Sequence, residues 1–126
     1  MIGQVVAVAA GGALGAAARY GITRATAQLA SFPFGTLVSN VAAGLAIGLL
    51  IGSGGTGLAA SPRLKLFLVT GVLGGLSTFS TFSIETVAMF EAGAYAQAAA
   101  NVLLNNILCF AAVAAGFWLR ARLVHP

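Results

Sequence analysis

The sequence predicts an all-α membrane protein with four transmembrane helices, the third of which is broken near its middle. Of the 126 residues, 60% are hydrophobic and only 6% are charged, and the mean hydropathy is +1.01. A soluble domain carries about 25% charged residues, so this composition excludes one. One crossing needs about 20 apolar residues, so the length fits four helices in a single domain over residues 1–126. A polar segment inside the third apolar stretch indicates the break.

The first two helices are predicted from an apolar run on each side of a proline turn. The first run predicts a helix over about residues 4–20, with Arg19 and Arg24 marking its far end. Pro33 lies in the following turn and is suited to the first turn of a helix. The second helix is therefore predicted over about residues 34–51.

The last two helices are bounded by glycine-rich segments. Residues 52–57 read as a flexible linker, and the third stretch then runs over about residues 65–90. Gly93 ends that stretch, and the fourth helix covers about residues 96–119. Because the turns after the first and third helices are short, neighbouring helices are expected to lie antiparallel and both termini on one side.

The basic residues orient these helices rather than bind nucleic acid. The net charge of +4 comes from six basic and two acidic residues, and the basic residues are sparse and lie near predicted helix ends, where they meet lipid headgroups. The terminal side and the glycine-rich loop hold four of them and the other side two, which favours cytoplasmic termini. Because the two sides differ by so few basic residues, the chain can also insert into the membrane in either orientation. The four are Arg63, Lys65, Arg120 and Arg122, against Arg19 and Arg24.

Glycines four residues apart predict close helix packing. Small residues at this spacing let helix backbones approach in lipid. Four short helices enclose little interior, so a homo-oligomer is expected. The pairs are Gly11 with Gly15, Gly44 with Gly48 and Gly52, and Gly71 with Gly75.

The polar segment over residues 71–83 is where function is expected, because irregular backbone in a membrane is tolerated only where protein or water surrounds it. If the helix breaks between Gly74 and Thr78, several carbonyl oxygens lose their amide partners, and a bound hard cation would satisfy them. The alternative is a continuous helix whose Ser and Thr hydroxyls bond back to the preceding turn.

Phe79 and Phe82 lie one turn apart on one helix face, and four hydroxyl residues flank them. An aromatic ring is positive at its edge, so ring edges attract an anion while hydroxyls donate to it. The alternative interpretation is packing, which is the usual role of paired phenylalanines in a membrane helix. The flanking residues are Ser77, Ser80, Thr81 and Ser83.

Side-chain amides on the second and fourth helices are further candidates. Asn40 is in line with Thr36 and Gly44, and its two N–H donors suit either an anion or an interhelical hydrogen bond. Three amides in the fourth crossing are unfavourable for a mere anchor, so at least one is expected to line a polar path. These are Asn101, Asn105 and Asn106, with Cys109, a packing residue, on the face of the first two.

Two charged residues, Arg19 just inside the end of the first crossing and Glu85 in the third, are further candidates. Arg19 either holds a vestibule positive or extends to the headgroups. Glu85 lies two turns beyond Ser77 and is a candidate gate or cation partner. Glu91 and His125 are expected to be solvated. Because the chain has a single, terminal histidine and no nucleotide, metalloprotease or triad motif, an enzyme is not expected.

Three motifs, in this order, give the chain a resemblance to a known family. The residues GGALGAAARY at 11–20, GTLVSN at 35–40 with Gly44, and GVLGGLSTFSTF at 71–82 resemble the Fluc (CrcB) fluoride channels of bacteria. The resemblance spans nearly the whole chain, and the third motif is highly specific. It implies a fluoride-selective channel that gives passive efflux from the cytoplasm across the bacterial inner membrane and reduces fluoride toxicity.

The resemblance also implies an assembly and a site. It implies an antiparallel, dual-topology homodimer with two pores and a structural sodium ion on the dimer axis, held by the backbone carbonyls of Gly74 and Ser77. The implied pore residues are Phe79 and Phe82, with Asn40 as the amide donor, Ser80 and Thr81 as a hydroxyl track, Glu85 further along and Arg19 near the entrance. The family often has Ser where this chain has Asn105, so the path on that side is not defined by the resemblance.

Two other functions compete with the channel. A small multidrug-resistance-type, proton-coupled exporter shares the short four-helix plan, but it would use a carboxylate deep in the first helix, and residues 4–18 contain none. A non-transporting assembly protein would not need hydroxyls and amides at mid-membrane.

Overall fold

The structure is a computed structural model that describes residues 1–29, 31–52 and 61–124. The predicted flexible linker lies largely outside these residues, and so does His125. Four segments of the described chain are long and apolar enough to cross a membrane. The protein is therefore an all-helical, multi-pass membrane protein, as the composition predicts.

The first crossing, α1 (Ile2–Thr26), is longer than its apolar run. Arg19 consequently lies well inside the helix and not at its end. The helix continues past the apolar run because no proline follows before Pro33 and a single glycine, Gly21, costs only about 1 kcal/mol. The second crossing, α2 (Phe34–Ile51), follows directly after Pro33.

The third crossing consists of two helices that are separated by an extended dipeptide. Residues 62–76 form α3, whose central part, Leu66–Leu73, has π-helical hydrogen bonding. Residues Phe79–Glu91 form α4. The predicted break is thus confirmed, and it lies at Ser77 and Thr78.

The fourth crossing, α5 (Tyr95–Val124), begins after a tight turn. Gly93 has a φ of 75°, the left-handed conformation that ends many helices and that favours glycine. The amide of Gly93 donates to the Phe90 carbonyl at 3.0 Å, and the amide of Ala94 donates to the Met89 carbonyl at 2.9 Å. This turn makes α4 and α5 neighbours.

Glycine contacts bring the helices into two closely packed pairs, α1 with α3 and α2 with α5. A Cβ atom on Gly75 would lie 2.6 Å from the Gly12 carbonyl oxygen, and one on Gly116 would lie 2.5 Å from the Leu45 carbonyl oxygen. Both distances are overlaps, so only glycine permits these approaches. The two pairs meet at the break, where Arg19 of α1 and Asn40 of α2 make hydrogen bonds to the backbone.

Candidate functional site

The break is an extended stretch of backbone at the middle of the third crossing. Ser77 has φ −77° and ψ 154°, and Thr78 has φ −154° and ψ 118°, so neither continues the helix. The backbone groups at this point need other partners, because an unpaired group in hydrocarbon costs several kcal/mol.

Asn40 of α2 supplies hydrogen-bond partners for both the backbone amide and the backbone carbonyl of Thr78. The Thr78 amide donates to Asn40 Oδ1 at 2.7 Å, and Asn40 Nδ2 donates to the Thr78 carbonyl at 3.3 Å. The other N–H of that amide donates to Asn105 Oδ1 at 3.0 Å. Both N–H donors of Asn40 are therefore occupied. Of the two roles considered for Asn40, the structure shows the interhelical hydrogen bond.

At the break, two backbone carbonyl oxygens lose the amide partners that a continuous helix would give them, because side chains accept hydrogen bonds from those amides. The Thr78 amide, which would bond to the Gly74 carbonyl in a continuous helix, donates to Asn40 instead. The Thr81 amide, which would bond to the Ser77 carbonyl, donates to Thr78 Oγ1 at 3.2 Å. These two carbonyls belong to the residues that the resemblance implies as sodium ligands, and carbonyl oxygens are suitable ligands for a hard cation.

Arg19 reaches the break from α1 and connects its two sides. Its Nε donates to the Gly75 carbonyl at 3.1 Å, and its Nη1 donates to Thr81 Oγ1 at 3.4 Å. A cation at the C-terminal end of α3 satisfies a terminal carbonyl and interacts favourably with the helix dipole. The charge of Arg19 thus lies beside the break, where α3 ends and α4 begins, and not at the end of α1.

The hydroxyl residues divide into two groups. Thr78 caps the start of α4, and its Oγ1 lies 3.0 Å from Thr81 Oγ1 and 3.3 Å from Ser80 Oγ. Ser77 and Ser83 instead donate to carbonyls one turn earlier, those of Leu73 and Phe79. The continuous-helix alternative is therefore wrong, although Ser77 and Ser83 do bond back to the preceding turn.

The two phenylalanines are neighbours in very different environments. Their ring centroids are 5.4 Å apart and the ring planes are inclined by 51°. Phe82 is only 8% exposed, whereas Phe79 is 79% exposed in the single chain. The single chain thus buries the Phe82 ring but leaves most of the Phe79 ring uncovered.

Glu85 is bound to a buried hydroxyl of α2. Thr36 is 2% exposed, and its Oγ1 donates to Glu85 Oε1 at 2.7 Å. Glu85 Oε2 is also buried and has no hydrogen-bond partner within the described part of the chain. The carboxyl group therefore has unused acceptor capacity inside the protein.

An open pocket of about 360 Å³ lies beside the break. Its walls come from α2, α3, the break, the first residue of α4, and α5. Polar atoms of the break face a space that apolar side chains otherwise surround. The lining includes Asn40, Gly44, Gly74, Ser77, Phe79 and Cys109.

The structure brings most of the predicted residues together around the break, and it adds partners that the sequence analysis did not pair with them. These partners are Thr36 for Glu85, the Gly75 carbonyl for Arg19, and Thr78 as a helix cap. A hydroxyl directly before the Phe79–Phe82 turn is a capping signal that was available in the sequence. The pairing of Thr36 with Glu85 depends on how α2 and α4 cross, which no local pattern encodes.

The sequence matches one protein family, and it is similar to named bacterial proteins, over most of its length. The family described as CrcB-like protein, Camphor Resistance (CrcB), matches residues 6–117. A protein of Desulfotalea psychrophila named fluoride-specific ion channel FluC is 48% identical over 116 residues, which cover 91% of this chain and 90% of the relative. A protein of the same name from Agrobacterium fabrum is 43% identical over 122 residues, covering 95% and 98%.

Proposed function

Because the chain belongs to the CrcB family, we propose that it is a fluoride-selective channel that lets fluoride leave the cytoplasm passively and so reduces fluoride toxicity. The observation that carries the proposal is the polar break at mid-membrane, with Phe82 buried beside it. The relatives that match nearly the whole chain are named as fluoride channels and not as enzymes, and this chain is not an enzyme either.

Selectivity follows from the donors that the site offers. A pore that conducts a strongly hydrated ion must replace its water shell with other polar groups. Around Phe82 these groups are ring edges and the hydroxyls of Ser80 and Thr81, with the charge of Arg19 at hydrogen-bond distance from Thr81. A narrow passage of this kind favours fluoride over the larger chloride. Asn40 contributes by holding the break, because both of its N–H groups are used there.

A passive pore is sufficient for export. Hydrogen fluoride crosses lipid uncharged and releases fluoride inside, where the anion is trapped. The membrane potential, negative inside, then drives the anion outward with about 2.3 kcal/mol per charge per 100 mV. The proposed location is the bacterial inner membrane, where lipid surrounds the four crossings.

The functional unit is an antiparallel, dual-topology homodimer. A single protomer leaves Phe79 79% exposed and the pocket at the break open, so a second copy is a suitable cover for this face. The small difference in basic residues between the two sides is compatible with insertion in both directions. The two copies would provide two separate pores.

A sodium ion at the dimer axis would be held by the carbonyls of Gly74 and Ser77 from both copies. The donor set fits, because the helical amide partners of these carbonyls donate to Asn40 and Thr78 instead. A bound sodium ion would supply a structural positive charge that neutralises the oxygen dipoles and joins the two breaks. It is a resident ion and is not transported.

An efflux assay with purified protein in liposomes tests the channel. We expect a fluoride gradient to dissipate within seconds to minutes after a potassium ionophore removes the opposing voltage, and an equal chloride gradient to persist. Fluoride- and chloride-selective electrodes measure the efflux of the two anions in parallel, with protein-free liposomes as the control. Equal flux of both ions, or no fluoride flux from correctly folded dimers, would refute the proposal.

Replacing sodium by N-methylglucamine on both sides of the membrane tests the axial ion. We expect fluoride efflux to fall after hours of exchange and to return when sodium is restored. Subunit exchange between two fluorescently labelled preparations is expected to become faster without sodium, because the ion joins the two copies. Unchanged efflux and unchanged exchange rates would contradict both the ion and its position.

The exporter alternative has no support in the charged residues of the chain. A proton-coupled exporter of cations needs a titrating carboxylate deep in its first helix, but α1 contains no acidic residue. The efflux assay also separates the two functions, because channel flux follows the fluoride gradient and the voltage without an imposed pH gradient.

A further inference from the structure

Three asparagines and one threonine form a continuous hydrogen-bonded network across three helices. Asn40 donates to Asn105 Oδ1 at 3.0 Å. Asn105 Nδ2 donates to Asn101 Oδ1 at 2.9 Å, and Asn101 Nδ2 donates to Thr86 Oγ1 at 2.9 Å. We call these four residues the amide network. It joins α2 to α5 and α5 to α4.

The two members on α5 are buried away from lipid. Asn101 is 0% exposed and Asn105 is 5% exposed. Burying an amide without partners costs about 1–3 kcal/mol, so two such residues in one crossing are tolerated only because the network satisfies them. Asn105 also donates to the Asn101 backbone carbonyl at 3.1 Å, which fixes its side chain against its own helix.

Both ends of the amide network reach the candidate site. At one end, Asn40 holds both polar groups of the Thr78 backbone. At the other end, Thr86 Oγ1 donates to the Phe82 carbonyl at 2.7 Å. The network therefore connects the break and the turn of α4 that carries Phe82 through α5, independently of the backbone between them.

We propose that Asn105 is a positioning residue for conduction: its amide holds Asn40 against Thr78 and, through Asn101 and Thr86, fixes the break relative to Phe82. The expected effect on conduction rests on the proposed channel function, whereas the hydrogen-bond geometry of the amide network does not depend on it. Asn105 lies at the centre of the network and is the residue whose removal separates its two ends.

Asn106 provides a matched control on the same helix. It is exposed, and its Nδ2 donates only to the Val102 carbonyl of its own helix, at 2.7 Å. Leucine has the same branching as asparagine but no polar atoms, so substituting it removes side-chain hydrogen bonding at either position. Only at position 105 does the change leave an N–H of Asn40 and the carbonyl oxygen of the Asn101 side chain without partners.

The experiment compares Asn105→Leu with Asn106→Leu by two measurements. Hydrogen exchange of peptides that cover residues 74–82 is expected to accelerate about threefold to tenfold in the first variant and not in the second, the range that corresponds to one net hydrogen bond. Fluoride efflux is expected to fall with the first variant only. Exchange that is equal in both variants would overturn the proposal, whether or not fluoride flows.

Asn105→Ser separates positioning from general destabilisation. Serine keeps a polar group on the side of Asn40 but lacks the amide that donates to Asn101, so exchange at residues 74–82 is expected to lie between the rates of the parent and of Asn105→Leu. If Asn105→Leu does not fold, this variant with Asn106→Ser as its control gives the same test. Absence of fluoride flux in the parent protein would defeat the channel proposal, while the exchange comparison would still decide the role of Asn105.

Discussion

Replacing Phe82 by isoleucine is expected to lower fluoride efflux about a hundredfold, which corresponds to a barrier increase of about 2.7 kcal/mol. Phe82 is 8% exposed and lies 5.4 Å from Phe79 between ring centroids. Isoleucine keeps an apolar side chain at this position but removes the positive ring edge that an anion would meet. The Thr86 hydroxyl can still donate to the backbone carbonyl of residue 82 in the variant, so the helix is expected to stay in place.

Phe90→Ile is the matched control for this variant. Phe90 is on the same helix, two turns later, 61% exposed, and its ring contacts only Tyr95 among the described aromatic residues, at 4.9 Å. Efflux through Phe90→Ile is expected to equal that of the parent protein, and both variants are expected to elute as dimers. Parent-like flux through Phe82→Ile would show that this ring only packs.

Replacing Arg19 by glutamine is expected to reduce fluoride efflux at least about tenfold, because charge-assisted hydrogen bonds contribute about 1.5–3 kcal/mol each. The arginine donates to the Gly75 carbonyl on one side of the break and to Thr81 on the other. The variant removes the positive charge beside the proposed anion path and shortens the side chain. The ends of α3 and α4 then lose their connection through α1.

Arg19→Lys separates charge from geometry, since lysine keeps the charge but lacks the planar fork that reaches both acceptors. An intermediate flux is expected for it. Arg24→Gln is the control, because Arg24 is exposed at the end of the same helix. Equal losses in Arg19→Gln and Arg24→Gln would mean that only the overall positive potential matters, and the proposed role of Arg19 would be wrong.

The sequence by itself determined the four crossings and the place of the break. The crossings follow from composition, since hydrocarbon requires long apolar helices with satisfied backbones. The break was predictable because glycines and hydroxyl residues at 71–83 interrupt an apolar stretch. The close-packing glycines were also readable, because only residues without a side chain permit backbone contact in lipid.

The tertiary structure alone decided which polar groups meet. Asn40 had two possible roles in the sequence, and its contact with Thr78 depends on the crossing of α2 over the break. Arg19 was expected near a helix end, but the packing of α1 on α3 brings it to the Gly75 carbonyl. Local patterns encode the period and the breaks of single helices. Partners that are 38 to 65 residues apart in the sequence are set only by the crossing geometry of whole helices.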